Sequence, residues 1–184
     1  MVEHNNPLCW SVVSSHYEYE NKIFKVRNDL CLNQNQIPLP PYFVLEMNDW
    51  VIAIAITKDG KYILEEAYRH GNQQIYFEFP AGTIDNKTDS PLDTIKRELL
   101  EETGFEFEQI KYLGKFSCNP ALINNQTHIF IAEEGSYKQE PALEAGESFN
   151  LKFVSLVELK EIVNAERMIQ AQHIAAYYMY LSCL

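Results

Sequence analysis

Strand-like patterns of apolar residues dominate the first half of this chain, and helical patterns join them in the second half. Residues 10–32 are rich in β-branched and aromatic side chains and break near Glu20-Asn21, which predicts a short hairpin. The Asn-, Gln- and Pro-rich stretch 33–41 reads as a linker and places a boundary there. Residues 1–46 are therefore expected to form an N-terminal β-hairpin extension and linker, and residues 47–184 the main domain. The runs WVIAIAIT and KYILEEAY flank Asp59-Gly60, a strong hairpin signal, and a type I′ turn is expected because its two central positions need positive φ. IYFEFP predicts a further strand.

A helix is expected over about 90–103. Ser90 suits the N-cap, Pro91 the first helical position and Asp93 a capping-box-like SxxD, while Gly104 suits the left-handed residue that ends a helix. Strands are predicted at 110–117 and 127–132, followed by an acidic loop from Glu133 to Ser148 and the strand NLKFVS. Two helices should close the chain, one opened by the capping box Ser155…Glu158 and one opened at Asn164 and running to about Ser182. Together these elements imply an α+β domain of layered sheet and helices.

Composition narrows the partners. At 184 residues, with 46% hydrophobic and 22% charged side chains, the chain is long enough to bury a core. A formal net charge of −11 argues against a nucleic-acid polymer as partner, so any phosphate bound here needs cations to mediate. Cys9, Cys31, Cys118 and Cys183 lie far apart without CxxC pairs, which fits a reduced, cytoplasmic setting. The opening residues lack a basic region followed by an apolar stretch, and the longest apolar runs fall short of a membrane span, so no membrane partner is expected. The histidines show no HExxH spacing, and neither a GxSxG elbow nor a Walker A loop occurs.

The helix near 90–103 breaks its own charge rules. At 100° per residue, Leu92, Ile95 and Leu99 share one apolar stripe, and Glu98, Glu101 and Glu102 gather on an adjacent arc of about 100°. Glu98 and Glu102 form a like-charge i,i+4 pair that opposes the helix by roughly 0.2–0.5 kcal/mol. Glu101 and Glu102 also sit in the last turn, where the helix dipole disfavours negative charge by roughly 0.3–1 kcal/mol. Only Arg97, four residues before Glu101, offers local relief, so the cluster points to hard divalent cations, which take oxygen ligands.

The string Arg97-Glu98-Leu99-Leu100-Glu101-Glu102-Thr103-Gly104-Phe105 resembles the REUxEExGU half of the Nudix box, with a chance-match probability on the order of 10⁻⁵. Upstream, Glu78-Phe79-Pro80-Ala81-Gly82-Thr83-Ile84-Asp85 resembles the ExPAGxxD segment of the ADP-ribose/ADP-sugar diphosphatase-like branch, and Ala67-Tyr68-Arg69 its QYR segment. The match departs from the full pattern at one place: Asp89 stands at the first glutamate position, after a loop one residue longer.

This resemblance implies the Nudix fold, a mixed β-sheet sandwiched between helices, here with a short N-terminal β extension. It implies Mg2+- or Mn2+-dependent hydrolysis of a nucleoside diphosphate linked to another moiety, foremost ADP-ribose to AMP and ribose 5-phosphate. Glu98 and Glu102 are implied as main metal ligands, Glu101 as a further ligand or the partner of Arg97, and the Ala81 carbonyl as an additional contact. Glu147, in the loop before NLKFVS that also holds Glu144, is the candidate general base. Arg69 would hold a phosphate or sugar oxygen, and Glu78 would receive a ribose hydroxyl or pair with Arg69. The same branch suggests a possible homodimer in which the N-terminal hairpin packs on the partner. Two rivals stay open: hydrolysis of GDP-sugars or dinucleoside polyphosphates, and a non-catalytic nucleotide-binding sensor of the same fold.

Overall fold

The computed structural model describes residues 6, 8–85, 89–143, 146 and 148–184. The chain falls into two units, Met1–Asn48 with Asn119–Asn125, and Asp49–Cys118 with Gln126–Leu184.

The first unit is a three-stranded antiparallel sheet, β1 (Ser11–Glu20), β2 (Phe24–Leu32) and β3 (Tyr42–Met47), in that order. The break at Glu20-Asn21 is the turn between β1 and β2, where the Asn21 side chain accepts from the Ile23 and Phe24 N–H groups at 2.7 and 2.8 Å. After the polar stretch 33–41 the chain returns as β3, a strand that the sequence pattern did not predict. Its partner on one side is remote in sequence: Leu45 N–H donates to Leu122 O at 2.7 Å, and Asn124 N–H to Leu45 O at 3.2 Å.

The second unit is built on β4 (Trp50–Thr57). Successive side chains of a strand point to opposite faces, so its apolar run feeds two cores. Val51, Ala53 and Ala55 join one, and Ile52 and Ile54 the other. β4 forms a hairpin with β5 (Tyr62–Arg69) and runs parallel to β9 (Thr127–Tyr137). With β8 (Phe105–Phe116) antiparallel to β9, and β10 (Phe149–Val154) antiparallel to β5, the order is β10-β5-β4-β9-β8. Beyond the hairpin β4 and β5 part. The edges they would have shared are taken up by β6 (Gln74–Glu78) along β5 and by β7 (Ala81–Thr83) along β4. Phe79-Pro80 crosses the split, and the Pro80 carbonyl accepts from Ala53 N–H at 3.0 Å.

Helices cover both faces. Ile95 of α1 (Pro91–Glu98) and Leu99, which follows it, pack with Val51, Ala53, Ala55, Ile63 and Phe130. Leu159 and Ile162 of α2 (Leu156–Asn164), with Ala176, Tyr177 and Tyr180 of α3 (Ala171–Leu181), pack with Ile52, Ile54, Leu64 and Ile129. Each fully buried Leu, Ile or Phe contributes roughly 1.5–3 kcal/mol relative to exposure, so this double core holds the sheet rigid beneath the site. The result is the expected α+β fold, a mixed sheet sandwiched between helices.

Several local expectations are corrected. The Asp59-Gly60 hairpin has positive φ at Gly60 alone among its turn residues (+77°), with Gly60 N–H donating to Thr57 O and Thr57 N–H to Lys61 O, both at 2.9 Å. This is a tight turn closed by a left-handed glycine, not type I′. Leu92 leaves the predicted stripe and is 38% exposed. β9 continues through exposed Glu133 and Glu134 into the stretch read as loop, because backbone pairing with β8 needs no apolar alternation. Asn164 ends α2 instead of opening the next helix: Ala165 N–H still donates to Glu161 O at 2.9 Å, and Glu166 then turns the chain at φ +55°. Among the described residues no helix is long and apolar enough to cross a membrane.

Candidate active site

α1 begins as its sequence demands, with the Ser90 hydroxyl accepting from Asp93 N–H at 3.0 Å and Pro91 at its start. The far end widens into a π-helical turn, Leu99–Thr103, closed by Gly104 at φ +75°. Such turns recur at functional sites because the added residue re-aims side chains. Here Glu98 and Glu102 are 8% and 5% exposed and line a cavity of about 570 Å³. Glu101 does not line it; its carboxylate accepts from Arg97 Nη1 at 2.7 Å, while Arg97 Nη2 donates to Glu98 at 2.7 Å.

The cavity opens where β4 and β5 part. From β5 it takes Glu65, Ala67 and Arg69, which alternate on the face that holds Ile63, together with Tyr68 near the end of the strand. Glu65 is buried beside Glu102, whose Oε2 accepts from the Ala81 N–H at 3.1 Å. Burial, reinforced by the Glu65 and Glu98 carboxylates, pushes the Glu102 carboxyl well above the usual carboxylate range. Gly82 leaves the room that the Glu98 carboxyl occupies, since a Cβ there would stand 2.2 Å from it and would make that side chain shift.

A second buried glutamate lines the same cavity with different company. Glu78 accepts from Arg69 Nε at 2.8 Å, Arg69 Nη2 at 2.5 Å and Gln170 Nε2 at 2.7 Å. His173 Nε2 lies 3.6 Å from Glu78 Oε2. Because His173 Nδ1 accepts the Phe79 N–H at 3.2 Å, the ring proton of neutral His173 sits on Nε2, facing Glu78. Burial pushes His173 down to about 4, against the pull of Glu78 and with the push of Arg69.

The structure thus brings Arg69, Glu78, Ala81, Glu98 and Glu102 to one cavity and leaves Glu101 outside its lining. Asp89 is exposed and also outside the lining. Glu144 and Glu147 lie outside the described residues; Gly146 and Ser148, which flank Glu147, line the cavity. Sequence reasoning missed Glu65, Gln170 and His173. Glu65 was signalled by its phase, an acid in step with the buried positions Ile63 and Ala67, and His173 by its place on the stripe of Ala176, Tyr177 and Tyr180. Gln170 carried no such signal.

Among the described residues no three His, Cys, Asp or Glu side chains converge as a preformed metal cage. Two hard carboxylates at a cavity wall suit instead a cation of the Mg2+ type, which is commonly held through one or two carboxylates and completes its shell with water and phosphate oxygens. The donors present fit such an ion.

The profile of the NUDIX domain matches residues 48–176, most of the chain. The chain belongs to the Nudix family of hydrolases. It is 33% identical to a methanol dehydrogenase activator of Bacillus methanolicus over 127 residues, 68% of each chain. It is 29% identical to an ADP-ribose pyrophosphatase of Bacillus subtilis (strain 168) over 123 residues, 66% of each chain. The crystal structure of an ADP compounds hydrolase superposes with a TM-score of 0.84 at 20% identity, covering 95% of this chain and 94% of that one, which shows the shared fold.

Proposed function

We propose that this Nudix hydrolase cleaves ADP-ribose, or another ADP-sugar, to AMP and a sugar phosphate with the help of Mg2+ or Mn2+. The observation that carries this reading is the buried Glu98–Glu102 pair, packed with Glu65 in a cavity that also presents Arg69. Arg97 offsets Glu98, but the buried Glu102 feels both Glu65 and Glu98, and it ionises beside them only when a further cation offsets the charge. The cavity volume lies within the usual range for small-ligand pockets, and the similarity to an ADP-ribose pyrophosphatase supports the choice of substrate.

Glu98 and Glu102 hold the cation, with the Ala81 carbonyl as a further contact, and Glu101 holds Arg97 against Glu98. Once bound, a divalent cation polarises the phosphoryl oxygens and lowers the pKa of an attacking water. Arg69 donates to a phosphate or sugar oxygen, and Glu78 fixes the orientation of Arg69. Glu147 accepts the proton of the attacking water. The four free cysteines suit a reducing, cytoplasmic setting. A homodimer through the first unit accounts for β1, an edge strand exposed along its length that carries Val12, Val13, Tyr17 and Tyr19. Sedimentation as a monomer at working concentration would remove that element.

The test is product identification after incubation with ADP-ribose in Mg2+, Mn2+ or EDTA. AMP and ribose 5-phosphate should appear with either metal and vanish with EDTA. Turnover of GDP-sugars or dinucleoside polyphosphates in preference would move the substrate, and tight ADP-ribose binding without AMP release would make the protein a sensor.

A further inference from the structure

Resting on the reading of Arg69 as a substrate contact, we propose that Gln170 is a positioning residue: it clamps the Glu78 carboxylate, which in turn aims the Arg69 guanidinium at the substrate. Gln170 stands at the N-cap of α3, where a side-chain oxygen ordinarily accepts from a first-turn N–H. It makes no capping bond, and its amide donates to Glu78 Oε1 at 2.7 Å.

His173 packs beside the same carboxylate without a hydrogen bond to it. Its Nδ1 is committed to the Phe79 N–H, so the ring cannot turn away, and its Nε2–H faces Glu78 Oε2. Phe77 N–H donates to Arg167 O at 2.8 Å, so the segment leading into α3 covers the free edge of β6 on which Glu78 sits. Arg69 meets Glu78 through Nε–H and one Nη2–H, which leaves three of its five N–H donors for an oxygen-rich ligand. The Arg69 side chain is 51% exposed, so packing alone does not hold it; the Glu78 carboxylate does. Gln170 is the donor to that carboxylate from outside the Arg69–Glu78 pair, so its removal leaves the two side chains bonded to each other but free to turn as a unit.

The experiment uses the full chain with Mg2+ and ADP-ribose and compares Q170L, Q170M, R69A and the Q170L/R69A double variant. Q170L and Q170M should raise KM about 10-fold with kcat changed less than about 2-fold, and the double variant should be no worse than R69A alone. A structural readout accompanies the kinetics: the 15N-edited Arg69 Nε–H signal, assigned by its loss in R69K, should be protected from exchange in the wild type and exposed in Q170L. An unchanged KM in both Gln170 variants where R69A raises it, additive effects in the double variant, or an unchanged Arg69 signal would each overturn the positioning role. An R69A variant with unchanged KM would overturn the reading of Arg69 itself, and the clamp with it. A wild type inactive on ADP-ribose would sink the substrate assignment alone, and the Arg69 signal would then decide the clamp.

Discussion

Two glutamates of one cavity, Glu78 and Glu102, are buried to a similar depth, at 1% and 5% exposure, and are neutralised in opposite ways. Glu78 is met from within the protein by Arg69, Gln170 and the neutral ring of His173. Glu102 is met by one backbone N–H and by other carboxylates, with a side-chain hydrogen bond to Glu65 and Glu98 close by, which burial and like charge turn into a reluctance to ionise. A buried carboxylate with internal donors is an organising element of the protein. One set among other carboxylates is a socket for charge that arrives with a cation.

The sharpest way to break this contrast is to make the same substitution at both positions. E102Q should lower ADP-ribose turnover by about 1,000-fold, equivalent to about 4 kcal/mol of lost transition-state stabilisation, and in EDTA should melt no lower than the wild type. Full activity in that variant would remove Glu102 from the metal site. Next in size is G82A, whose added methyl displaces the Glu98 carboxyl; about a 100-fold loss of kcat is expected from a misplacement of that order, with circular dichroism unchanged. E78Q should instead destabilise the fold by about 2 kcal/mol in urea unfolding, since it weakens the bonds that Arg69 and Gln170 donate. Equal unfolding midpoints for E78Q and E102Q would erase the distinction.

The smallest effect concerns pH. His173 titrates near 6.5 when unfolded and near 4 when folded, so between those values the unfolded chain binds a proton that the native one refuses. Stability should therefore fall as pH drops from 6.5 towards 4 and should not respond to this group at higher pH. H173Q should flatten that part of the melting-temperature profile, and an identical slope in wild type and variant would show that His173 is not held neutral.

Much of this was legible without coordinates. The apolar run Val51–Ala55 has the composition of a strand buried on both faces, and Ser90, Pro91 and Gly104 bound their helix as local backbone chemistry requires. The spacing of Glu98 and Glu102 placed two acids together, since residues four apart share a helix face whatever surrounds them. Local rules failed where backbone pairing or packing outweighed them: in β3, which pairs with the distant segment 119–125, in the continuation of β9, and at Asn164.

Sequence by itself determined most of the strands and helices, the α+β layering and the presence of a carboxylate pair, because each depends on periodicity and on contacts within a few residues. Tertiary structure alone decided that Glu65 joins that pair, that Glu101 stays outside the cavity lining while Arg97 also bonds Glu98, and that Gln170 and His173 lie against Glu78 from the far end of the chain. Those choices depend on where two strands part and what fills the gap, and close approach of residues about a hundred positions apart leaves no periodic trace in either segment.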